Sequence, residues 1–245
     1  MSQQELDLFH PQIIGVIGAM EAEIAYLRSI MHNVKTHRFG RDIVIYTGLL
    51  FDKDIVLCQS GIGKVNAAIA TTLLIEHFTP DCVINTGCAG GVGAGLKVGD
   101  VVIGTHIMYH DVDVTPFGYQ YGQVPKLPVF FNSNSTLMYV AEQAATVFKT
   151  ANVVRGLIVS GDSFIHSKED IARIKKQLPN PQAVEMEAAA IAQTCFEMGK
   201  PFVIIRAMSD SAEDDAKVSY DTFLVTASEN SARMVHKMIR AFSEE

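Results

Sequence analysis

The sequence of 245 residues predicts a single-domain α/β protein built on a sheet with buried parallel strands. Three observations carry that prediction. The run Phe202-Val-Ile-Ile-Arg-Ala-Met208 is β-branched and apolar on both faces, as a strand covered on two sides must be. Similar runs recur and alternate with helical patterns along the chain. Finally, 48% of the residues are apolar, and no Pro/Ser-rich linker, long charge block, repeat or low-complexity segment interrupts them. The length therefore suits one core, although domains of about 100 to 200 residues are the norm.

Residues 1–12 are polar and read as a short disordered extension, leaving residues 13–245 as the domain. Ile13 to Met20 forms a first buried strand, followed by a helix from Glu21 to His32 with Ile24, Leu27 and Met31 on one face. Asp42 to Leu50 and Asp54 to Ser60 read as two strands joined by a turn at Phe51-Asp52-Lys53. A glycine turn, Ser60-Gly-Ile-Gly-Lys64, leads into a helix from Lys64 to Phe78. Cys82 to Thr86 is the next buried strand, and Gly87-Cys-Ala-Gly-Gly-Val-Gly-Ala-Gly95 after it reads as a loop. Its amides suit either a small ligand or a plain tight connection.

Val101 to Gly104 returns to strand. Met108 to Phe131, with six aromatics, three prolines and two glycines, cannot be a regular helix and reads as a long shaped loop. A helix from Thr136 to Lys149 and a strand from Val153 to Ser160 come next. Ser167-x-x-Asp170 then has the capping-box pattern of a helix that runs to Leu178. Glu187 opens a helix closed by Gly199 and Pro201, and Tyr220 to Phe242 is one long amphipathic helix covering Phe223, Leu224, Ala227, Ser231, Met234 and Met238.

The chemistry gathers near the end of the chain. Glu185 and Glu187 lie two apart and would share one face of an extended segment. Asp210 stands at the carboxyl end of the Phe202 strand, where open α/β sheets bind ligands, so it and Glu187 are expected in one crevice. The alternative is that Glu187 only favours the helix dipole and Asp210 only caps the next turn of the chain. Glu21 and Glu23, in the first turn of the first helix, make that junction unwelcoming to phosphate, and Glu21 alone reads as a surface acid.

Several function classes are excluded. Ser60–Lys64 is not a Walker loop, because position 58 is Cys58 and position 65 is Val65. The glycine-rich run misses the dinucleotide fingerprint at Leu96, and no helix pattern comes after it. The net charge of -7, with scattered Lys and Arg, argues against a nucleic-acid or anionic-membrane surface and for a small-molecule partner. Cys58, Cys82, Cys88 and Cys195 form no C-x-x-C pair, so neither zinc nor a disulfide framework is indicated. The first residues lack a signal core, and no run approaches about 18 apolar residues. A cytoplasmic protein with reduced thiols is expected.

Six motifs in order resemble one family. Gly18-Ala-Met-Glu-Ala-Glu23, Ser60-Gly-Ile-Gly-Lys-Val-Asn-Ala67, Asn85-Thr-Gly-Cys-Ala-Gly-Gly91, Gly156-Leu-Ile-Val-Ser-Gly-Asp-Ser-Phe-Ile165, Val184-Glu-Met-Glu-Ala188 and Arg206-Ala-Met-Ser-Asp210 are similar to those of the bacterial 5'-methylthioadenosine/S-adenosylhomocysteine nucleosidases. The likeness spans about residues 13–240. It implies a three-layer α/β/α sandwich of the nucleoside phosphorylase type, with a central mixed, mostly parallel twisted sheet. It also implies a homodimer without metal or organic cofactor. The implied reaction is hydrolysis of the N-glycosidic bond of methylthioadenosine and adenosylhomocysteine, and by extension 5'-deoxyadenosine, to adenine and the 5-substituted ribose.

By the same resemblance, Asp210 protonates the adenine leaving group and Ser209 positions it. Glu187 stabilises the oxocarbenium-like ribose, and Glu23 activates the water, with Arg206 and Cys88 nearby. Asp210 would need a raised proton affinity to donate. Met186 packs on the sugar beside Glu185, Phe164 stacks on adenine, Ile165 meets its edge, and Ala89 and Gly90 line the pocket. The 5'-substituent lies against Met20, Ile62 and Tyr220, and against Val114, Phe117, Tyr119 and Pro125 of a neighbouring subunit. Two positions depart from the family pattern. Cys88 stands where serine is expected and is a weaker donor. Tyr220 replaces phenylalanine and adds a hydroxyl.

Two rivals differ in class. A phosphorylase would bring phosphate to Glu23, and two anions at about 4 Å repel by on the order of 4 kcal/mol at an effective dielectric near 20. A non-catalytic purine-nucleoside binder would need Phe164 and a pocket, but has no use for Glu23, Glu187 and Asp210 together.

Overall fold

The computed structural model describes residues 9–145, 151–211 and 216–243. The chain runs through β1 (Ile13–Gly18), α1 (Glu21–Ile30), β2 (His32–Phe39), β3 (Ile43–Leu50), β4 (Lys53–Gln59), α2 (Lys64–Phe78) and β5 (Cys82–Gly91). It continues through β6 (Val101–Tyr109), a 3-10 turn (Thr115–Phe117), β7 (Phe131–Asn132), α3 (Ser135–Ala144), β8 (Val153–Ser160) and α4 (Lys168–Gln177). The last elements are β9 (Pro181–Glu185), α5 (Ala188–Glu197), β10 (Phe202–Asp210) and α6 (Ala216–Ala241).

The strands form one mixed sheet in the order β10-β6-β8-β9-β5-β1-β4-β3-β2, and β10 also pairs with β5. Five strands, β5, β10, β6, β8 and β9, thereby close on themselves. β1 lies parallel between β4 and β5, and β10 runs parallel to β5, whereas β2, β3 and β4 form an antiparallel meander. All nine residues of β10 are buried, which explains its apolar reading on both faces.

Helices cover both faces. Ile24 and Leu27 of α1, Leu137 and Val140 of α3 and Met234, Val235 and Met238 of α6 pack on Ile14, Val16, Ile84, Val203 and Ile205. On the other side, Ala67, Ala70 and Leu74 of α2 and Ala188, Ala192 and Cys195 of α5 meet Ile17, Val83, Ile204 and Met208. The result is the three-layer α/β/α sandwich. Each fully buried Ile, Leu or Val adds on the order of 2 kcal/mol to its stability. α4 owes its start to Ser167, whose hydroxyl accepts the Asp170 N–H at 3.1 Å and donates to the Asp170 carboxylate.

Several boundaries differ from the sequence expectation. α1 ends at Ile30, and His32–Phe39, expected partly as helix and otherwise unassigned, is a strand. Its residues are mostly exposed because it is the outermost strand, paired on one side with β3. Gly87 to Gly91 is strand rather than loop, since β5 continues through them to pair with β10 and β9. β6 runs on to Tyr109, shortening the aromatic loop. The last four residues of the helix expected to reach Lys149, from residue 146 onward, lie outside the described residues, as do residues 1–8 of the expected extension. Phe9 meets Phe242 edge-on with ring centroids 6.3 Å apart, and the Gln12 and Ile13 N–H groups donate to Asp81.

Register brings the functional motifs to one edge. Gly18 is level with Gln59, and Asp210 with Gly90, so the segments after β1 and β4 leave the sheet beside the ends of β5 and β10. Ser160 is level with Glu185 across β8 and β9, completing the rim.

Candidate active site

A cavity of about 320 Å³ opens at this edge. Its walls include Met20, Glu23, Ile62, Cys88, Ala89, Gly90, Phe164, Ile165, Glu185, Met186, Glu187, Ser209, Asp210 and Tyr220, together with Ala19, Ser163 and Val184. Four acids, Glu23, Glu185, Glu187 and Asp210, from three parts of the chain, thus line one space.

Glu23 lies in the first turn of α1 yet points back into the sheet. Its Oε2 accepts the N–H groups of Ala19 at 2.6 Å and Met20 at 3.1 Å, and its Oε1 accepts the Cys88 N–H at 3.1 Å. Three main-chain donors fix the plane of that carboxylate. The room it needs is made by Gly87, where a Cβ would stand 2.5 Å from Glu23 Oε1. Side-chain contact with Cys88 is looser, Sγ to Oε1 being 3.6 Å. Burial, then the charge of Glu23, hold the Cys88 thiol well above its ordinary range, so it is a neutral donor.

Glu185 and Glu187 are not two residues on one strand face. β9 ends at Glu185, and the chain turns at Glu187, the residue that precedes α5. Glu185 Oε2 accepts the N–H groups of Glu187 at 3.0 Å and Ala188 at 2.8 Å, so the side chain that caps α5 is Glu185. Ser160 donates its hydroxyl to Glu185 Oε1 and accepts the Ala189 N–H. Glu187 itself accepts the Gly63 N–H at 2.9 Å. Its pKa is pushed up to about 8, by burial first and by the Glu185 charge second, against the pull of Arg206.

Arg206 does not line the cavity. Only 2% exposed, it lies behind Glu185, with Nη2 2.7 Å from both Glu185 Oε2 and Asn85 Oδ1. Burial alone would lower its proton affinity, but Glu185, Glu23 and Glu187 around it outweigh that and raise it. The cation thus serves three carboxylates. Sequence reasoning misses Asn85 and Ser160 as site residues although both lie within the six motifs, because their roles depend on partners far off in sequence.

At the other wall Ser209 donates its hydroxyl to Asp210 Oδ2 at 2.9 Å. Phe164, 41% exposed, presents its ring to the space and meets Tyr220 edge-on at 5.6 Å between centroids. The Tyr220 hydroxyl lies 3.2 Å from Met20 Sδ, bridging two walls. Val114, Phe117, Tyr119 and Pro125 are absent from the walls of this cavity. They lie on the loop after β6, with Phe117 81% exposed.

Comparison with known proteins identifies the family. The model of the phosphorylase superfamily matches residues 13–240. The 5'-methylthioadenosine/S-adenosylhomocysteine nucleosidase of an Exiguobacterium species is 51% identical over 225 residues, covering 91% of this chain and 95% of the relative. That of Staphylococcus aureus is 49% identical over 228 residues, covering 93% and 99%. The crystal structure of the Neisseria meningitidis nucleosidase in complex with methylthio-immucillin-A superposes with a TM-score of 0.92 at 58% identity, covering 94% of this chain and 99% of that one. By sequence and by fold, this chain belongs to the 5'-methylthioadenosine/S-adenosylhomocysteine nucleosidases of the phosphorylase superfamily.

Proposed function

We propose that the protein hydrolyses the N-glycosidic bond of 5'-methylthioadenosine and S-adenosylhomocysteine, releasing adenine and the 5-thio-substituted ribose. 5'-Deoxyadenosine, which shares the bond, is taken as a further substrate. The observation that carries this reading is the convergence of Glu23, Glu187 and Asp210 on one cavity beside an exposed aromatic face.

Each acid has a distinct task. Adenine leaves badly as an anion, so Asp210, held by Ser209, gives a proton or a hydrogen bond to the base as the bond stretches. Positive charge then grows on the ribose. Glu187 lies against the sugar with Met186 and stabilises that charge once ionised. Glu23 takes the proton of the attacking water; its three main-chain donors leave it in a fixed orientation for that step. Phe164 stacks on the base, and Ile165, Ala89 and Gly90 surround it. Arg206 balances the acids from behind rather than touching the substrate.

The 5'-substituent lies toward Met20, Ile62 and Tyr220, where the cavity opens. We assign a homodimer in which Val114, Phe117, Tyr119 and Pro125 of one protomer close the other's cavity. Val65 and Ile69, exposed on α2, and Phe117 offer the apolar surface such an interface needs. Four buried free thiols suit a reducing cytoplasm. Incubation with methylthioadenosine, adenosylhomocysteine and 5'-deoxyadenosine, with chromatography for adenine, tests the reading. Adenine from none of the three would remove it, and full activity in a proven monomer would remove the shared site.

A further inference from the structure

Lys64, Asp111 and Asp162 form a cluster outside the cavity, with no part in the chemistry assigned to the three acids. The Lys64 ammonium reaches Asp111 Oδ2 at 2.6 Å and Asp162 Oδ2 at 3.7 Å. The main-chain N–H of Lys64 donates to Asp162 Oδ1 at 2.8 Å, and the N–H of Asp162 donates to Asp111 Oδ2 at 3.0 Å. Three stretches are clasped together. One is the Gly61–Lys64 turn, another the segment after β8 that carries Phe164, and the third the start of the loop that leads to Phe117.

The clasp sits one residue from the chemistry. Gly63, directly before Lys64, donates its N–H to Glu187 Oε1. A helix start leaves N–H groups in need of partners, and α2 has no side-chain cap of its own, its cap position being Gly63. Asp162 takes that role from 98 residues away. Gly63, at φ +94°, has no side chain to hold its conformation, so contacts on either side set the direction of its N–H. A Cβ there would lie 3.2 Å from Asp162 Oδ1, so the carboxylate also limits what the position can hold.

From this geometry we infer that Asp162 is a positioning residue for Glu187. By accepting the Lys64 N–H it aims the neighbouring Gly63 N–H at the Glu187 carboxylate and holds Ile62 in the cavity wall. The inference rests on the reaction proposed for the cavity. Its charged side chains are 23 to 50% exposed, so as an ion-pair cluster it adds little to stability. Its effect belongs to turnover. The Gly63 hydrogen bond also favours ionised Glu187, as Arg206 does, while Glu185 and Glu23 oppose it.

The test compares Asp162→Ala with Asp162→Asn, which keeps an oxygen to accept the Lys64 N–H. With methylthioadenosine, Asp162→Ala is expected to lower kcat about tenfold or more and to move the acid limb of its pH profile upward. Asp162→Asn should stay within about threefold of wild type, since Asn and Asp cap helices about equally well. Wild-type kcat and pH profile in Asp162→Ala would overturn the inference, as would equal impairment of the two variants. Hydrogen exchange over residues 61–66 needs no turnover. Faster exchange in Asp162→Ala, restored in Asp162→Asn, is expected, and unchanged exchange overturns the inference. An inactive wild type would instead indict the reaction, leaving the exchange result to decide on the clasp.

Discussion

Arg206 Nη2 lies 2.7 Å from Glu185 Oε2, with 2% and 3% of the two side chains exposed. An ion pair so enclosed is sensitive to the loss of one member, because the other keeps its charge without compensation. Here the cation also neighbours Glu23 and Glu187, so its removal leaves three acids facing one another.

Arg206→Met should therefore lose about 3 to 5 kcal/mol of stability at neutral pH. Part of the loss should return at lower pH, where the acids take up protons. Urea denaturation at two pH values reads both effects. Wild-type stability at neutral pH would mean that the pair is dispensable.

Glu187 gives the free protein a specific pH dependence. Its folded pKa of about 8 lies above its ordinary value of 4.5, so the folded state holds the proton more tightly than the unfolded chain does. That contribution is complete below about pH 4.5 and fades as pH rises through about 8. Thermal melts across that window should show a fall attributable to Glu187, on the order of a few kcal/mol, that Glu187→Gln abolishes. An identical slope in the variant would contradict the assignment.

Gly87 is where space, rather than backbone freedom, demands glycine. In Gly87→Ala the new methyl would stand 2.5 Å from Glu23 Oε1 and displace it from its three donors. A shift near 1 Å in a catalytic group costs on the order of a hundredfold in kcat. Gly95→Ala is the control, since nothing lies within 4 Å of its Cβ but its φ of +80° is strained for alanine. It should lose about 1 kcal/mol of stability while keeping its turnover. Steady-state kinetics and melting of both variants check the pair.

Asp210→Asn tests the proton donor. Loss of a general acid costs about 10² to 10⁴ in rate. The amide still fits the cavity, so adenine binding by calorimetry should survive while turnover of methylthioadenosine does not. Near-normal kcat in the purified variant would transfer the acid role to another group.

What could be read from the sequence depended on how local its cause was. β8 and the start of α4 were legible because a β-branched run and the Ser167/Asp170 cap act within a few residues. β2 was not. Its sequence HNVKTHRF shows no apolar alternation, and only pairing with β3 makes it a strand. The glycines from Gly87 to Gly91 resembled a loop because glycine signals freedom locally, whereas here they continue a paired strand, and Glu23 beside Gly87 and Met208 of β10 beside Gly91 leave little room for a side chain.

The site divides in the same way. Glu23, Glu187 and Asp210 entered through motif order, and all three face the cavity. Arg206 entered as a neighbour of the water, but the fold puts it behind Glu185, 21 residues distant. Nothing in an apolar run announces which buried acid will meet its arginine. Glu185 likewise looked like a partner of Glu187 on a strand, until the turn between them made it the helix cap.

Hydrolysis, as opposed to phosphorolysis, is tested most directly by the fate of the sugar. Adenine release from methylthioadenosine should be measured in phosphate-free buffer and with added phosphate, and the sugar product identified by mass. Equal rates with free methylthioribose in both are predicted, because the Glu23 carboxylate lining the cavity would repel a phosphate nucleophile. Adenine release only with phosphate, accompanied by a sugar 1-phosphate, would contradict the role of Glu23 and the hydrolase with it.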